Sequence, residues 1–138
     1  MQPHEIYSLR ARDIMDRQFV LVSPLETVHD AITKMKACGN CQVAIVDRAD
    51  EDDAYGIMTF QEIVYRVISK SLSPTRTRVG EIMIKPLIVV NPTLRLPFVA
   101  QLFSRFGIQN AIVIEEHLLV GVISSADLVL ALTNGKTE

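Results

Sequence analysis

The sequence predicts an α/β (α+β) fold built from two copies of one β-α-β-β-α unit. Three observations predict it. The chain matches itself once, in register, over nearly its whole length. Each copy alternates short β-branched runs with helical apolar stripes. Its 138 residues are 49% hydrophobic and 22% charged, enough to bury a core without a metal or disulfide staple.

The repeat is read by setting Ile14-Met15 against Ile82-Met83, an offset of 68. Val22 then meets Val90, Pro24 meets Pro92, and Gly39 meets Gly107. Asp13 faces Glu81, and Ile45 faces Val113. Beyond Asp47 the offset falls to 65, aligning Gly56 with Gly121, Thr59 with Ser124 and Glu62 with Asp127. The change falls in one loop, as expected of a true duplication. Repeat 1 is expected over about 11–70, a linker over about 71–77 and repeat 2 over about 78–133.

Each copy opens with an apolar run, Phe19–Val22 or Leu87–Val90, broken by Ser23-Pro24 or Asn91-Pro92. A helix follows. Val28, Ala31, Ile32 and Met35 fall at i, i+3, i+4 and i+7, with Thr27 as N-cap and Asp30 in the first turn. Leu96, Val99, Ala100 and Phe103 repeat the stripe, with Pro97 where a missing N–H matters least. Gly39 and Gly107 are the predicted stops. A β-hairpin comes next, Gln42–Val46 with Tyr55–Met58 and Ala111–Ile114 with Leu118–Ile123. A second helix closes each unit, about Phe60–Ser69 and Ser125–Leu132. The halves are expected to pack face to face, and residues 134–138 read as a polar tail.

The chemistry concentrates where each hairpin runs into its closing helix. Gly56-Ile57-Met58-Thr59-Phe60-Gln61-Glu62 and Gly121-Val122-Ile123-Ser124-Ser125-Ala126-Asp127 share one pattern, Gly-h-h-[Thr/Ser]-x-x-[Asp/Glu]. A hydroxyl at an N-cap with an acid three residues later is the signature of a capping box. The same place exposes unpaired backbone N–H groups suited to a phosphate. Ser124 adds a hydroxyl, and the Asp127 carboxylate can accept from both hydroxyls of a ribose. The expectation is a cap in the empty protein and a ligand contact in the filled one. Glu62 is one methylene longer, so the Thr59 and Glu62 end is expected to be altered or empty.

These ends, with Arg12-Asp13-Ile14-Met15 and Gly80-Glu81-Ile82-Met83 at the two starts and Val22-Ser23-Pro24 and Val90-Asn91-Pro92 after the first strands, resemble a tandem pair of cystathionine-β-synthase (CBS) domains, a Bateman module. The resemblance covers about residues 11–132. It departs at Ala44 and Ile112, where the family often has Pro, and at Glu62, where Asp or Asn is usual. It implies two repeats related by a pseudo-two-fold axis, and a non-enzymatic regulatory module. Such a module binds an adenosine-type ligand (AMP, ADP, ATP or S-adenosylmethionine) in a cleft between the repeats and signals by conformational or oligomeric change. It implies a base slot lined by Val20, Leu21, Ile88 and Val89, with Ala44 and Ile112 nearby. It also implies a homodimer, for which Ile63, Val64, Val67, Ile68, Leu128, Val129 and Leu132 supply apolar helix faces. Two rival readings are a ligand-independent assembly module and a thiol redox module working through Cys38 and Cys41.

Other features exclude more than they assign. With 14 basic and 16 acidic residues the net charge is -2, against a role in gripping nucleic acid. No apolar run reaches membrane-span length, and Met1–Arg12 has no apolar signal core. The expected compartment is the cytoplasm, with both thiols reduced and Cys38-Gly39-Asn40-Cys41 an inert pair rather than half a zinc site. Asp47 and Asp50–Asp53 read as a solvated loop. Arg76, Arg78, Lys85 and Arg95 are candidates for positive charge near a phosphate. His4, His29 and His117 are scattered, and no catalytic constellation, P-loop or dinucleotide fingerprint is present.

Overall fold

In the computed structural model, residues 3–39 and 41–133 are described. Asn40 and the tail expected over 134–138 lie outside them. The chain begins with α1 (Pro3–Ile6), α2 (Ala11–Ile14), β1 (Val20–Val22), α3 (Val28–Ala37), β2 (Val43–Val46) and β3 (Gly56–Thr59). It continues with α4 (Phe60–Ile63), a π-helical segment (Val64–Ile68), α5 (Val79–Ile82) and β4 (Val89–Val90). Then come α6 (Leu96–Phe106), β5 (Asn110–Glu115), β6 (Leu118–Ser124) and α7 (Ser125–Ala131). Among the described residues no helix is long and apolar enough to cross a membrane.

The predicted strand and helix order is present twice. In each copy the first strand pairs in parallel with the second, and the second pairs antiparallel with the third, giving sheets β1-β2-β3 and β4-β5-β6. Thr27 caps α3 by accepting from the Asp30 N–H at 3.1 Å. Gly107 ends α6 in the left-handed region at φ 62°, where a side chain would be strained.

By contacts the chain divides into two units, Phe19–Leu87 and Met1–Gln18 with Ile88–Glu138. The segment leading into each repeat therefore belongs with the sheet of the other. In the first unit Ile84 and Ile57 exchange both backbone hydrogen bonds, at 2.8 and 2.9 Å. In the second, Asp16 and Val122 do the same at 2.8 and 2.9 Å. Each exchange places an extra extended residue beside the third strand, next to Gly56 or Gly121. Both lead helices carry capping acids: Asp13 accepts from the Arg10 N–H at 2.8 Å, and Glu81 from the Arg78 N–H at 2.7 Å.

Each unit has its own core under one sheet face. In the first, Val20, Val22, Ala44, Val46 and Met58 pack with Val28, Ala31 and Met35 of α3 and with Val79 and Ile82 of α5. In the second, Val90, Ala111, Val113 and Ile123 pack with Leu96, Val99 and Phe103 of α6 and with Ala11 and Ile14 of α2. Burial of such side chains contributes roughly 1.5–3 kcal/mol each before the entropy of ordering is set against it.

Two expectations are corrected. The closing helix expected over Phe60–Ser69 is not a single α-helix: after α4 it widens, with the Ser69 N–H donating to the Val64 carbonyl at 3.0 Å. The widened turn buries Val67 in the core and leaves Val64, Tyr65 and Ile68 outward. Cys38 and Cys41, expected as reduced thiols, are joined in a disulfide with Cα atoms 5.6 Å apart. The stop at the end of α3 explains it. Gly39 takes φ +85° and the Cys41 N–H donates to the Met35 carbonyl at 3.0 Å, which folds the chain back beneath Cys38.

Candidate ligand-binding site

The two strand-to-helix ends are both built as capping boxes. Ser124 is extended (φ -110°, ψ 165°), so its side chain reaches the open first turn of α7. Its Oγ accepts from the Asp127 N–H at 3.1 Å, and Asp127 Oδ2 accepts from the Ser124 N–H at 2.8 Å. Thr59 repeats the geometry (φ -104°, ψ 173°), accepting from the Gln61 N–H at 3.2 Å while Glu62 Oε1 accepts from the Thr59 N–H at 2.7 Å.

The ends differ in what remains for a ligand. Thr59 also donates its hydroxyl proton to Glu62 Oε1 at 2.7 Å, and Glu62 is only 8% exposed. The longer acid therefore folds back over its own cap and occupies the hydroxyl. At the other end Asp127 is half-buried. Among the described residues its Oδ1 accepts no hydrogen bond and the Ser124 hydroxyl proton has no acceptor. A free acceptor and a free donor thus sit side by side, and Oδ2 keeps a second lone pair.

Register decides which strand residues share a face with these hydroxyls. Val89 lies opposite Ile112, and Ile112 opposite Val122, two residues before Ser124. That face of the second unit carries Val89, Ile112, Val122 and, at its end, Ser124. In the first unit Leu21, Ile45, Ile57 and Thr59 are related in the same way. Val89 is 49% exposed and Leu21 42% exposed, so both offer apolar surface. The other residues expected to line a base slot are placed as follows. Val20, Ala44 and Ile88 alternate onto the opposite face and pack into the helix-covered cores, and Ile112 is on the right face but 0% exposed.

The expected phosphate neighbours are placed as follows. Lys85 pairs with Asp53 at 2.7 Å, and Arg78 donates to the Leu25 carbonyl at 2.8 Å. Arg95 stands at the start of α6, and Arg76 is exposed. The acidic loop is ordered by its own bonds: Asp53 Oδ2 accepts from the Ala49 N–H at 2.9 Å. That bond, followed by Lys85, lowers the Asp53 pKa to about 2. Glu26 is lowered as well: burial opposes its charge, but the Lys34 ammonium and the Ser23 N–H outweigh it.

What sequence reasoning missed is the exchange of lead segments. The signs were the paired acids Asp13 and Glu81, read as repeat matches but not as caps, and the glycines that leave room for a crossing chain. A Cβ on Gly121 would stand 2.6 Å from Met15 Sδ and 3.1 Å from the Asp16 carbonyl oxygen. On Gly56 it would stand 3.0 Å from Met83 Sδ and 3.2 Å from the Ile84 carbonyl oxygen.

Known proteins resemble this chain. The chain is 40% identical to a hexameric CBS-CP12 protein from bloom-forming cyanobacteria, with a TM-score of 0.81, over 88% of this chain and 66% of that one. The CBS domain-containing protein YhcV of Bacillus subtilis is 26% identical over 117 residues, 85% of this chain and 81% of its own length. Protein MK0525 of Methanopyrus kandleri is 25% identical over 122 residues, 88% of this chain but 61% of its own length. The chain thus spans just under two thirds of the first and last of these. The CBS domain profile matches residues 11–69 and again 79–134, so the chain belongs to the CBS domain family and carries two copies of the domain in tandem.

Proposed function

We propose that this chain is a non-enzymatic regulatory module that binds an adenosine-type ligand at the Ser124–Asp127 end. AMP, ADP, ATP and S-adenosylmethionine share the nucleoside that the site reads. The observation that carries the reading is the free Asp127 Oδ1 beside the free Ser124 hydroxyl proton, on the sheet face that bears exposed Val89. The carboxylate accepts from the ribose diol, Ser124 donates to the ligand, and Val89 contacts the base. The ligand signals by stabilising one conformation or association state over another. The Thr59–Glu62 end has no free hydroxyl proton and is the weaker site.

The test is calorimetry with AMP, ATP and S-adenosylmethionine. Asp127→Asn keeps the size of the side chain and an oxygen for the Ser124 N–H but removes the charge. A charged hydrogen bond contributes about 1.5–3 kcal/mol, so its affinity falls roughly 10- to 100-fold. Absence of binding to all three by the wild-type chain sinks the proposal.

A second reading, assembly, rests on a different observation. Val64, Tyr65 and Ile68 of the π-helical segment and Val129 and Leu130 of α7, with Leu132 just after it, are exposed apolar side chains. The related CBS-CP12 protein is hexameric. A second copy of this chain is the proposed occupant of these faces. Sedimentation of wild type against Ile68→Glu and Val129→Glu measures it: dimer or larger for wild type, with dissociation in a variant, supports assembly, and a wild-type monomer excludes it.

A further inference from the structure

An open pocket lies in the unit that holds Ser124 and Asp127, and neither of those residues lines it. It has a volume of about 420 Å³ and is lined by Arg10, Asn91, Thr93, Leu94, Arg95 and Phe98. Arg10 and Arg95 are directly opposed partners in an antiparallel bridge. Like charges so placed repel one another. Among the described residues neither guanidinium forms an ion pair, and the ion pairs present join other residues. The nearest acid on the same element, Asp13, spends its Oδ2 on the Arg10 backbone N–H rather than on its side chain.

Of the other polar side chains in the lining, Asn91 offers N–H donors, while the Thr93 hydroxyl has already given its proton to Asn91 Oδ1. Asn91 Oδ1 accepts from the Thr93 N–H at 2.9 Å and the Thr93 hydroxyl at 2.7 Å, and among the described residues its amide N–H groups have no acceptor. The Thr93 carbonyl is taken by Arg10 Nη1 at 2.7 Å, a bond that holds the guanidinium in place. Among the described residues no carboxylate lines the pocket. Phe98 is half-exposed at its wall. Position 27, which matches position 95 in the other repeat, holds Thr27 as a working cap, so the charge is particular to the second repeat.

We propose that this cavity is an anion site for a phosphate monoester. The two guanidinium forks bind the phosphoryl dianion, the Asn91 amide adds a donor, and Phe98 packs on the organic part. The site is separate from Ser124 and Asp127, and its ligand needs no nucleoside.

The probes are inorganic phosphate and phenyl phosphate, titrated by NMR while the arginine Nε–H resonances are followed. Saturable shifts of Arg10 and Arg95 are expected, with phenyl phosphate several-fold tighter and that advantage lost in Phe98→Ala. Arg95→Thr installs the residue of the matching position, so it removes the charge while supplying a cap. Its melting temperature stays level or rises, and its phosphate affinity falls at least 10-fold. Arg10→Gln weakens binding to a similar degree. Asp127→Asn binds phosphate as wild type does, and adenosine does not compete. Equal affinity in wild type and Arg95→Thr, or no saturable shift in wild type, overturns the proposal. Competition by adenosine, or loss in Asp127→Asn, assigns the anion to the other end and overturns it too.

Discussion

Replacing Gly121 by Ala tests the crossing of lead segment and third strand. Gly121 does not sit in the left-handed region, so what the position demands is space. The new methyl would stand 2.6 Å from Met15 Sδ and 2.9 Å from its Cγ, both far inside ordinary contact. It would also stand 3.1 Å from the Asp16 carbonyl oxygen, which is tied to the Val122 N–H at 2.9 Å and cannot retreat without losing that bond. Overpacking of this kind destabilises by about 1–3 kcal/mol, and the loss of glycine entropy from the unfolded chain offsets about 0.4–1 kcal/mol. The net expectation is about 1–2 kcal/mol. With about 2.1 cal/mol/K per residue of unfolding entropy, a chain of this length loses roughly 3–7 °C of melting temperature. Gly56→Ala is milder, under about 1 kcal/mol, because its nearest contact is the movable end of Met83 at 3.0 Å. The assay is urea denaturation and calorimetry of both variants, with Met15→Ala alone and combined with Gly121→Ala. Removing Met15 relieves the closest clash, so the double variant is more stable than additivity predicts, by about 0.5 kcal/mol or more. A Gly121→Ala protein as stable as wild type, or strict additivity with Met15→Ala, refutes the close crossing.

Two further predictions concern the surface and the disulfide. Asp53 has a depressed pKa, so its contribution to stability is complete above its ordinary value of 3.8 and is lost as pH falls through about 2. A carboxyl NMR titration should find that midpoint near 2, and in Lys85→Met it should rise yet stay below 3.8, because the Ala49 N–H remains the larger cause. The link between Cys38 and Cys41 closes a very short loop, so its reduction lowers stability by no more than about 2 kcal/mol. Melting curves with and without reductant check this, and intact mass without reductant should be two hydrogens below the thiol form.

The helices α3 and α6, the caps at Thr27, Thr59 and Ser124 and the hairpins were legible in the sequence because their causes are local. Thr27 and Asp30 are three residues apart, Gly107 needs only its own φ, and the stripes of α3 and α6 follow the helical period. The duplication supplied a check on each element, and the capping-box geometry at Ser124 and Asp127 follows from spacing alone. The faces of the strands were not legible. A run such as Val20-Leu21-Val22 is apolar throughout, so composition cannot say which residue points to the helices. Pairing with Ala44, Ile45 and Val46 decides it, and puts Val20 in the core and Leu21 outward. Sequence also could not show that Met1–Gln18 belongs with residues 88–138, because two backbone bonds between Asp16 and Val122 leave no periodic trace. Nor could it show that Glu62 would occupy the Thr59 hydroxyl while Asp127 leaves Ser124 free, since one methylene changes the outcome only once both ends of the turn are held in space. Local chemistry set the parts of this protein, and long-range register set which of those parts are buried and which stay exposed.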